Sequence, residues 1–199
     1  MSTRGCIARL QKRDPLEFKG VYHHWDSYPS GLGQKLFHIR NQEFKGDTTA
    51  MLKMLIDQHP AGWSTIVGAD FDLMPGFQGH QKADGKEMVM ESRPQCYCHG
   101  DRHETGSVVT ERNAATSGIE YAYLFDGSKM FIAGSFCGNG RKMVGMFGLG
   151  DAEAVWSVIA EVHMDGPEPD WKALDQASSM DVEAGAQISC PAADKKSSR

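Results

Sequence analysis

The sequence predicts an α+β fold, in which a mostly antiparallel sheet built from hairpins is covered by about three helices. Two observations predict the sheet: apolar runs of strand length occur in pairs, and short polar turns join the members of each pair. A third observation predicts the helices, because three other stretches carry apolar residues at helical spacing. Paired strands followed by helices favour an α+β arrangement over alternating strand–helix units.

The first half of the chain is predicted to form one hairpin and two helices. We expect strands over residues 4–10 and 17–25, joined by the polar turn at residues 12–15. Helices are expected from Ser30 to about Phe44 and from Asp47 to Pro60. The apolar stripes that indicate them are Leu32, Leu36 and Ile39 in the first, and Met51, Leu52, Leu55 and Ile56 in the second.

The second half is predicted to contain an irregular segment, a second hairpin and a final helix. Residues 72–105 show little periodicity, and a segment of that length in a compact domain is commonly functional or disordered. Strands are predicted over residues 119–125 and 130–136 on either side of an Asp-Gly turn, with another at 143–147. The final helix is predicted to begin at Asp151. The residues that share one of its faces are Val155, Val158, Ile159 and Val162.

The composition and charge are those of an ordinary globular protein. The chain has 199 residues and a net charge of −5, with 40% hydrophobic and 24% charged residues. A mildly acidic surface argues against binding to nucleic acid or to anionic membranes, which attract basic patches. There is neither a membrane-spanning apolar run nor a signal-peptide core, and the five cysteines are an odd number. We therefore expect a cytoplasmic protein with one domain over residues 1–178 and a disordered tail over residues 179–199.

The segment 22–33, between the second strand and the first helix, is the first candidate site. Asp26 is placed to accept a hydrogen bond from a histidine, and glycines at a helix start leave backbone N–H groups open to a ligand. The alternative is a packed corner in which the aromatic side chains fill the core and Asp26 caps the turn. The candidate ligand-binding residues are Tyr22, His24, Trp25, Asp26, Tyr28, Gly31 and Gly33.

Three motifs of the chain resemble those of a group of uncharacterised phage and bacterial proteins. Those proteins share a Met-x-Thr-Arg start and a His-Trp-Asp-Gly-Tyr-Pro signature, and this chain has Met1-Ser2-Thr3-Arg4 and His-Trp-Asp-Ser-Tyr-Pro at 24–29. The run Tyr121–Asp126 is similar to their second half. The resemblance implies a small intracellular protein of phage or prophage origin, active in the host cytoplasm, and implies no particular chemistry. Ser27 replaces the glycine of the signature, which would alter the turn if that position has a positive φ angle.

The segment 96–104 is the second candidate site, because it could bind a metal ion. Thiolate and imidazole ligands suit zinc. The Cys-x-Cys spacing differs from that of a zinc knuckle, so the alternative is a short strand followed by a solvated turn. A closed set of ligands would be structural, whereas an open position could activate water. The candidate metal ligands are Cys96, Cys98, His99 and His103.

These patterns leave two main functional hypotheses. The first is a phage or prophage accessory protein that binds a host protein or a small ligand through residues 22–33 and 72–105, since no complete catalytic motif is evident. The second is a metal-assisted hydrolase that uses the Cys/His cluster, with Asp26 or His24 as general base. An N-terminal serine hydrolase that uses Ser2 is a third, weaker hypothesis. The first two assume that folding gathers both candidate sites around one recess.

Overall fold

A computed structural model describes residues 3–69, 94–99, 103–114, 117–137, 141–142 and 155–184. Nine strands in this part of the chain form one sheet. In chain order they are β1 (Gly5–Lys12), β2 (Glu17–His23), β3 (Trp63–Thr65), β4 (Gln95–Cys96), β5 (Val109–Thr110), β6 (Tyr121–Asp126), β7 (Lys129–Cys137), β8 (Arg141–Lys142) and β9 (Val155–His163). Their spatial order is β4-β3-β2-β1-β6-β7-β8, with β5 paired to β2 and β9 paired to β7.

The two predicted hairpins are present, but the sheet that joins them is mixed. β1 pairs antiparallel with β2, and β6 pairs antiparallel with β7. β1 also pairs in parallel with β6, and β2 pairs in parallel with β3. The predicted mostly antiparallel sheet is therefore corrected to a mixed one. The physical reason is that β1 is an interior strand, with apolar side chains on both faces, and needs a partner on each side.

The helices of the first half form where the sequence predicts them. The first helical segment comprises a π-helical turn (Pro29–Gly33), α1 (Gln34–His38) and a second π-helical turn (Ile39–Glu43). The second comprises α2 (Thr48–Leu52) and the π-helical turn Lys53–Asp57. Asp47 caps α2, because its Oδ1 accepts a 2.9 Å hydrogen bond from the Ala50 N–H.

The predicted final helix is wrong: residues 155–163 form strand β9, and the last helix is α3 (Trp171–Ala184). A β-bulge explains the error. Ala160 pairs with Ile132 and Val158 pairs with Ala133, so Ile159 has no residue opposite it. Val158 packs on one face of the sheet, while Ile159 and Val162 pack on the other. The bulge thus produces an apolar spacing that resembles that of a helix.

Apolar side chains cover both faces of the sheet. On the first face, which we call the helix face, the helices pack against β1, β6 and β7 through residues such as Leu36, Leu55 and Tyr123. On the opposite face, Val109 and Ile119 from the 109–119 segment pack against the sheet. β1 illustrates the division, because Ile7 belongs to the helix face and its neighbours Cys6 and Ala8 belong to the opposite face.

Several expectations lie at or outside the limits of the described residues. The predicted strand at 143–147, the start of the predicted final helix and most of the irregular segment are outside them. α3 extends six residues past the predicted domain boundary at Ser178, and the tail beyond Ala184 stays a prediction. Among the described helices, none is long and apolar enough to cross a membrane.

Candidate metal centre

Four side chains that could hold a metal ion meet beside β3 and β4. They are His59, Cys96, Cys98 and His99, and one ligand atom from each lies within 4.8 Å of the other three. His59 follows the second helical segment, and the other three lie on β4 and just after it. The pairing of Trp63 with Cys96 brings these two parts of the chain together.

A tight turn between His59 and β3 makes this approach possible. The Gly62 N–H donates to the His59 carbonyl oxygen at 2.9 Å, and Gly62 has a φ angle of +80°, which favours glycine. A Cβ atom at Gly62 would lie 2.4 Å from the Tyr22 carbonyl oxygen, so a larger residue would also push the turn away from β2. The Tyr97 N–H in turn donates to the Gly62 carbonyl oxygen at 3.0 Å. These constraints hold His59 next to the Cys-x-Cys-His segment.

The distances within the cluster suit a tetrahedral zinc site after a small contraction. Cys96 Sγ lies 3.2 Å from His99 Nδ1, and Cys98 Sγ lies 3.7 Å from His59 Nδ1. In a zinc tetrahedron with sulfur and nitrogen ligands, neighbouring ligand atoms are roughly 3.3–3.8 Å apart. The widest separation in the cluster, at most 4.8 Å, therefore has to shorten by about 1 Å on metal binding.

Burial favours the neutral forms of His59 and Cys96 in the absence of a metal ion. Desolvation, with a further contribution from His99, lowers the pKa of His59 to about 4. Desolvation, with a further contribution from Cys98, raises the pKa of Cys96 to about 12. A neutral imidazole can bind a metal at once, and a divalent cation would offset the cost of a buried thiolate. These donors are therefore better suited to bind a soft or borderline cation than to bind water.

Trp63 supports the cluster from the core side. Its ring lies 4.4 Å from the His59 ring, and its indole N–H donates to the Leu55 carbonyl oxygen at 2.8 Å. Trp63 is fully buried, so it fixes the end of the second helical segment against β3. The position of the His59 ring thus depends on packing, and is set before a metal ion is present.

Three of the four predicted metal ligands belong to this cluster, and the fourth does not. His103 is exposed, has a φ angle of 46° and lies outside the group. His59 takes its place and was not predicted, because it is 37 positions before Cys96 and only the β3–β4 pairing joins the two. The one local signal was a histidine followed by Pro60-Ala61-Gly62, which indicated a turn and gave no indication of a ligand.

The first candidate site, at the strand-to-helix junction, forms a packed corner with an aromatic rim. His23 is fully buried, and its Nε2 accepts from the Ile66 N–H at 3.2 Å, so its Nδ1 carries the proton that is shared with Ser27 Oγ at 2.7 Å. His24 Nδ1 bonds the Tyr22 hydroxyl at 2.7 Å. The packed-corner alternative placed the aromatic side chains in the core. Trp25 and Tyr28 are instead 47% and 37% exposed.

The backbone of the junction explains why Ser27 fits where the resembled signature has glycine. The residue with a left-handed conformation is Asp26, at a φ angle of 55°, and not Ser27. Ser27 is fully buried, and its side chain lies against Gly5, where a Cβ atom would come within 2.6 Å of Ser27 Cβ. The Tyr123 hydroxyl donates to the Ser27 carbonyl oxygen at 2.8 Å.

The two glycines of the junction serve packing. A Cβ atom at Gly31 would lie 2.2 Å from the Asp26 carbonyl oxygen, and one at Gly33 would lie 2.9 Å from the Tyr123 ring. The Asp26 carbonyl oxygen also accepts from the Leu32 N–H at 2.9 Å. Close approach of the chain to itself therefore accounts for both glycines, and their role in ligand binding stays a prediction.

The two candidate sites are neighbours on opposite faces of one sheet edge. Tyr22, which bonds His24, packs with the opposite-face cluster, whereas Cys96 and Cys98 pack with the helix-face cluster. The Tyr97 ring bridges them at the edge, with its centroid 6.3 Å from that of Tyr22. The expectation of one recess shared by both groups is therefore not met.

Searches of protein-family models, of curated proteins and of solved structures gave no match for this chain. The resemblance to phage and bacterial proteins therefore stays a prediction.

Proposed function

We propose that the protein is a zinc-stabilised binding module, in which His59, Cys96, Cys98 and His99 hold one Zn²⁺ ion. The observation that carries this proposal is the convergence of four soft ligand atoms within 4.8 Å. Two of the four residues, His59 and Cys96, are buried, and both would be neutral without a metal. Thiols and imidazoles form only weak hydrogen bonds with each other. Zinc ligation by the same side chains would stabilise the folded state much more strongly.

The proposed zinc site is structural. Four protein ligands fill the tetrahedral positions of zinc and leave none for water or substrate, whereas catalytic sites keep one position open. The general bases of the hydrolase hypothesis are also badly placed. Asp26 is exposed and His24 belongs to the opposite face of the edge. The metal-assisted hydrolase is therefore the weaker proposal.

Zinc would fix the segment that carries Tyr97. Cys96 and Cys98 flank Tyr97, so ligation of both thiolates from one face orients the tyrosine toward the other. The hydrogen bond from the Tyr97 N–H to Gly62 and the one from the Glu104 N–H to Tyr97 hold the same backbone. Loss of the ion would leave the Tyr97–Gly62 hydrogen bond and the β3–β4 pairing to hold this segment beside the turn.

The binding surface that we propose is a row of aromatic side chains along this edge. Its members contact one another in sequence: the rings of Tyr97 and Tyr22 are 6.3 Å apart, those of Tyr22 and His24 are 5.8 Å apart, and those of His24 and Trp25 are 4.6 Å apart. Rigid aromatic side chains bind partners at low entropic cost. Asp26 and Tyr28 flank the row at its exposed end. The partner we propose is a host protein or a small ligand, with a phage or prophage accessory role.

Cobalt substitution tests the zinc site. Co²⁺ in a tetrahedral site with thiolate ligands gives intense visible bands and a near-ultraviolet charge-transfer band. We expect both bands for the apo-protein titrated with Co²⁺, saturating at one equivalent, and their loss in Cys98→Ser and His59→Ala. His103→Ala is the matched control and keeps the spectrum, because His103 lies outside the cluster.

The same titration separates a structural site from a catalytic one. Addition of azide shifts the spectrum only if a coordination position is open or exchanges readily. An unchanged spectrum supports the closed site, and an azide-dependent change would favour the hydrolase instead. Absence of thiolate–cobalt bands in the folded wild-type protein would contradict the proposal.

A further inference from the structure

A separate cleft opens on the helix face of the β1–β2 hairpin, toward the turn that joins the two strands. Its volume is about 260 Å³, and its walls come from β1, β2, the end of the second helical segment and Val108. Val21 and Ile56 form an apolar floor, and both are largely buried. Val108, at the rim, is 48% exposed, which leaves an apolar side chain in contact with solvent. The cleft is lined by none of the proposed zinc ligands.

Cationic side chains outnumber anionic ones in this cleft. Arg9 and Lys19 lie side by side on paired strands, and Asp57 is the one acid in the lining. Asp57 binds Arg9 through two parallel hydrogen bonds of 2.8 and 2.9 Å, which uses two of the five guanidinium donors. The ammonium group of Lys19 forms no ion pair with any of the described residues. The lining therefore carries one net positive charge in a chain of net charge −5.

Size and charge together restrict the ligand. A volume of about 260 Å³ is below the usual range for drug-sized ligands, so it suits a molecule of about ten non-hydrogen atoms. The apolar floor and rim favour a ligand with an apolar body. The adjacent cations favour one anionic group, since a dianion would be opposed by Asp57.

We propose that this cleft binds a small organic monocarboxylate. The carboxylate lies at Lys19 and at the remaining donors of Arg9, and the apolar body lies against Val21, Ile56 and Val108. Asp57 positions the Arg9 guanidinium and takes no part in contact with the ligand. This inference is independent of the zinc proposal, because the two sites share no residue.

Fluorine NMR of 4-fluorobenzoate tests the cleft, with 4-fluorobenzamide as the neutral probe of the same shape. We expect the benzoate to bind with a dissociation constant on the order of 1 mM, as suits a ligand of this size. It should shift the backbone amide signals of Gly20 and Val108 in ¹⁵N spectra, and the benzamide should bind at least about threefold more weakly. Val108→Asp should weaken benzoate binding relative to the wild-type protein, because it places an anion at the apolar rim.

Lys19→Gln, with Lys12→Gln as control, tests the role of charge. Both lysines are exposed on the first hairpin, and only Lys19 lines the cleft. We expect Lys19→Gln to weaken benzoate binding by about threefold and Lys12→Gln to leave it unchanged. Equal binding of the benzoate and the benzamide, equal effects of the two lysine variants, or no amide shifts at about 10 mM probe would each overturn the proposal.

Discussion

Individual buried side chains determine how this protein responds to acid. Desolvation lowers the pKa of His23 to about 3, whereas an unfolded chain has a histidine pKa near 6.5. Between these values the unfolded state binds the proton and the folded state does not, so acidification favours unfolding. Each pH unit below 6.5 should therefore remove about 1.4 kcal/mol of unfolding free energy through His23.

We expect His23→Gln to flatten this pH dependence, because glutamine does not titrate. The measurement is the unfolding free energy from urea titrations at several pH values between 6.5 and 4. The exposed His103→Gln serves as control and should keep the wild-type slope. Identical slopes for His23→Gln and wild type would mean that His23 is protonated in the folded state.

Asp26 is the residue whose backbone conformation most constrains the junction. At a φ angle of 55°, alanine costs roughly 1 kcal/mol more than glycine, since a Cβ atom crowds the following carbonyl group. We therefore expect Asp26→Ala to be less stable than Asp26→Gly by about 1 kcal/mol in urea unfolding. Equal stability of the two variants would show that Asp26 leaves the left-handed region at little cost.

The candidate sites show what residue patterns reveal and what they miss. The local density of thiol and imidazole groups identified Cys96, Cys98 and His99, because neighbours in sequence are close in any fold. His59 could not be identified in this way, since its proximity depends on a strand pairing between distant segments. The same dependence on tertiary packing left His23, which the sequence did not single out, fully buried at the junction.

Among the secondary-structure elements, α3 has the clearest energetic role. Trp171 is 4% exposed, and its ring lies 5.9 Å from that of Phe37 and close to Gly33. Further along the same helix, the Ser178 hydroxyl hydrogen-bonds the buried Tyr121 hydroxyl at 2.8 Å. We expect Trp171→Ala to lower the unfolding free energy by about 3 kcal/mol, as for other large aromatic deletions in cores.

The neighbouring Lys172→Ala is the control for this prediction, because Lys172 is exposed on the same helix. Its change in unfolding free energy should stay within about 0.5 kcal/mol. Comparable losses for the two variants would indicate that α3 contributes through its own helical stability and that its packing on the first helical segment contributes little.

β9 shows why the type of an element can be mistaken when a bulge interrupts a strand. Its apolar residues fit a helical face, yet Val155, Val158, Ile159 and Val162 are all β-branched, which favours a strand. The extra residue at the bulge changes which side chains point to each face of the sheet. The two-residue alternation of a regular strand is therefore interrupted in the sequence. The two hairpins and the first two helical segments were predicted correctly.

The whole molecule combines two hairpins that the sequence predicts with one pairing that it does not. The parallel alignment of β1 with β6 joins residues more than a hundred positions apart, and no local pattern specifies it. This pairing places the edge with the proposed zinc site at one end of the sheet and β8 at the other. Zinc removal should therefore loosen the β3–β4 edge before the center of the sheet unfolds.

A zinc-dependent gain in stability is the expected consequence for the whole protein. At a free zinc concentration of about 100 times the dissociation constant, the folded state gains about 2.7 kcal/mol relative to an apo-protein that is otherwise the same. Urea unfolding with zinc and with a chelator measures this difference. Coincident unfolding curves would mean that folding does not depend on the metal.

Zinc content of the purified protein tests the proposed metal centre most directly. Protein isolated without a chelator from zinc-supplemented cells should contain about one zinc ion per chain, measured by mass spectrometry of the metal. His103→Ala should retain this content, and His59→Ala and Cys98→Ser should each fall below about a tenth of an equivalent. A folded wild-type protein with less than about a tenth of an equivalent, or variants that keep the full amount, would contradict the account.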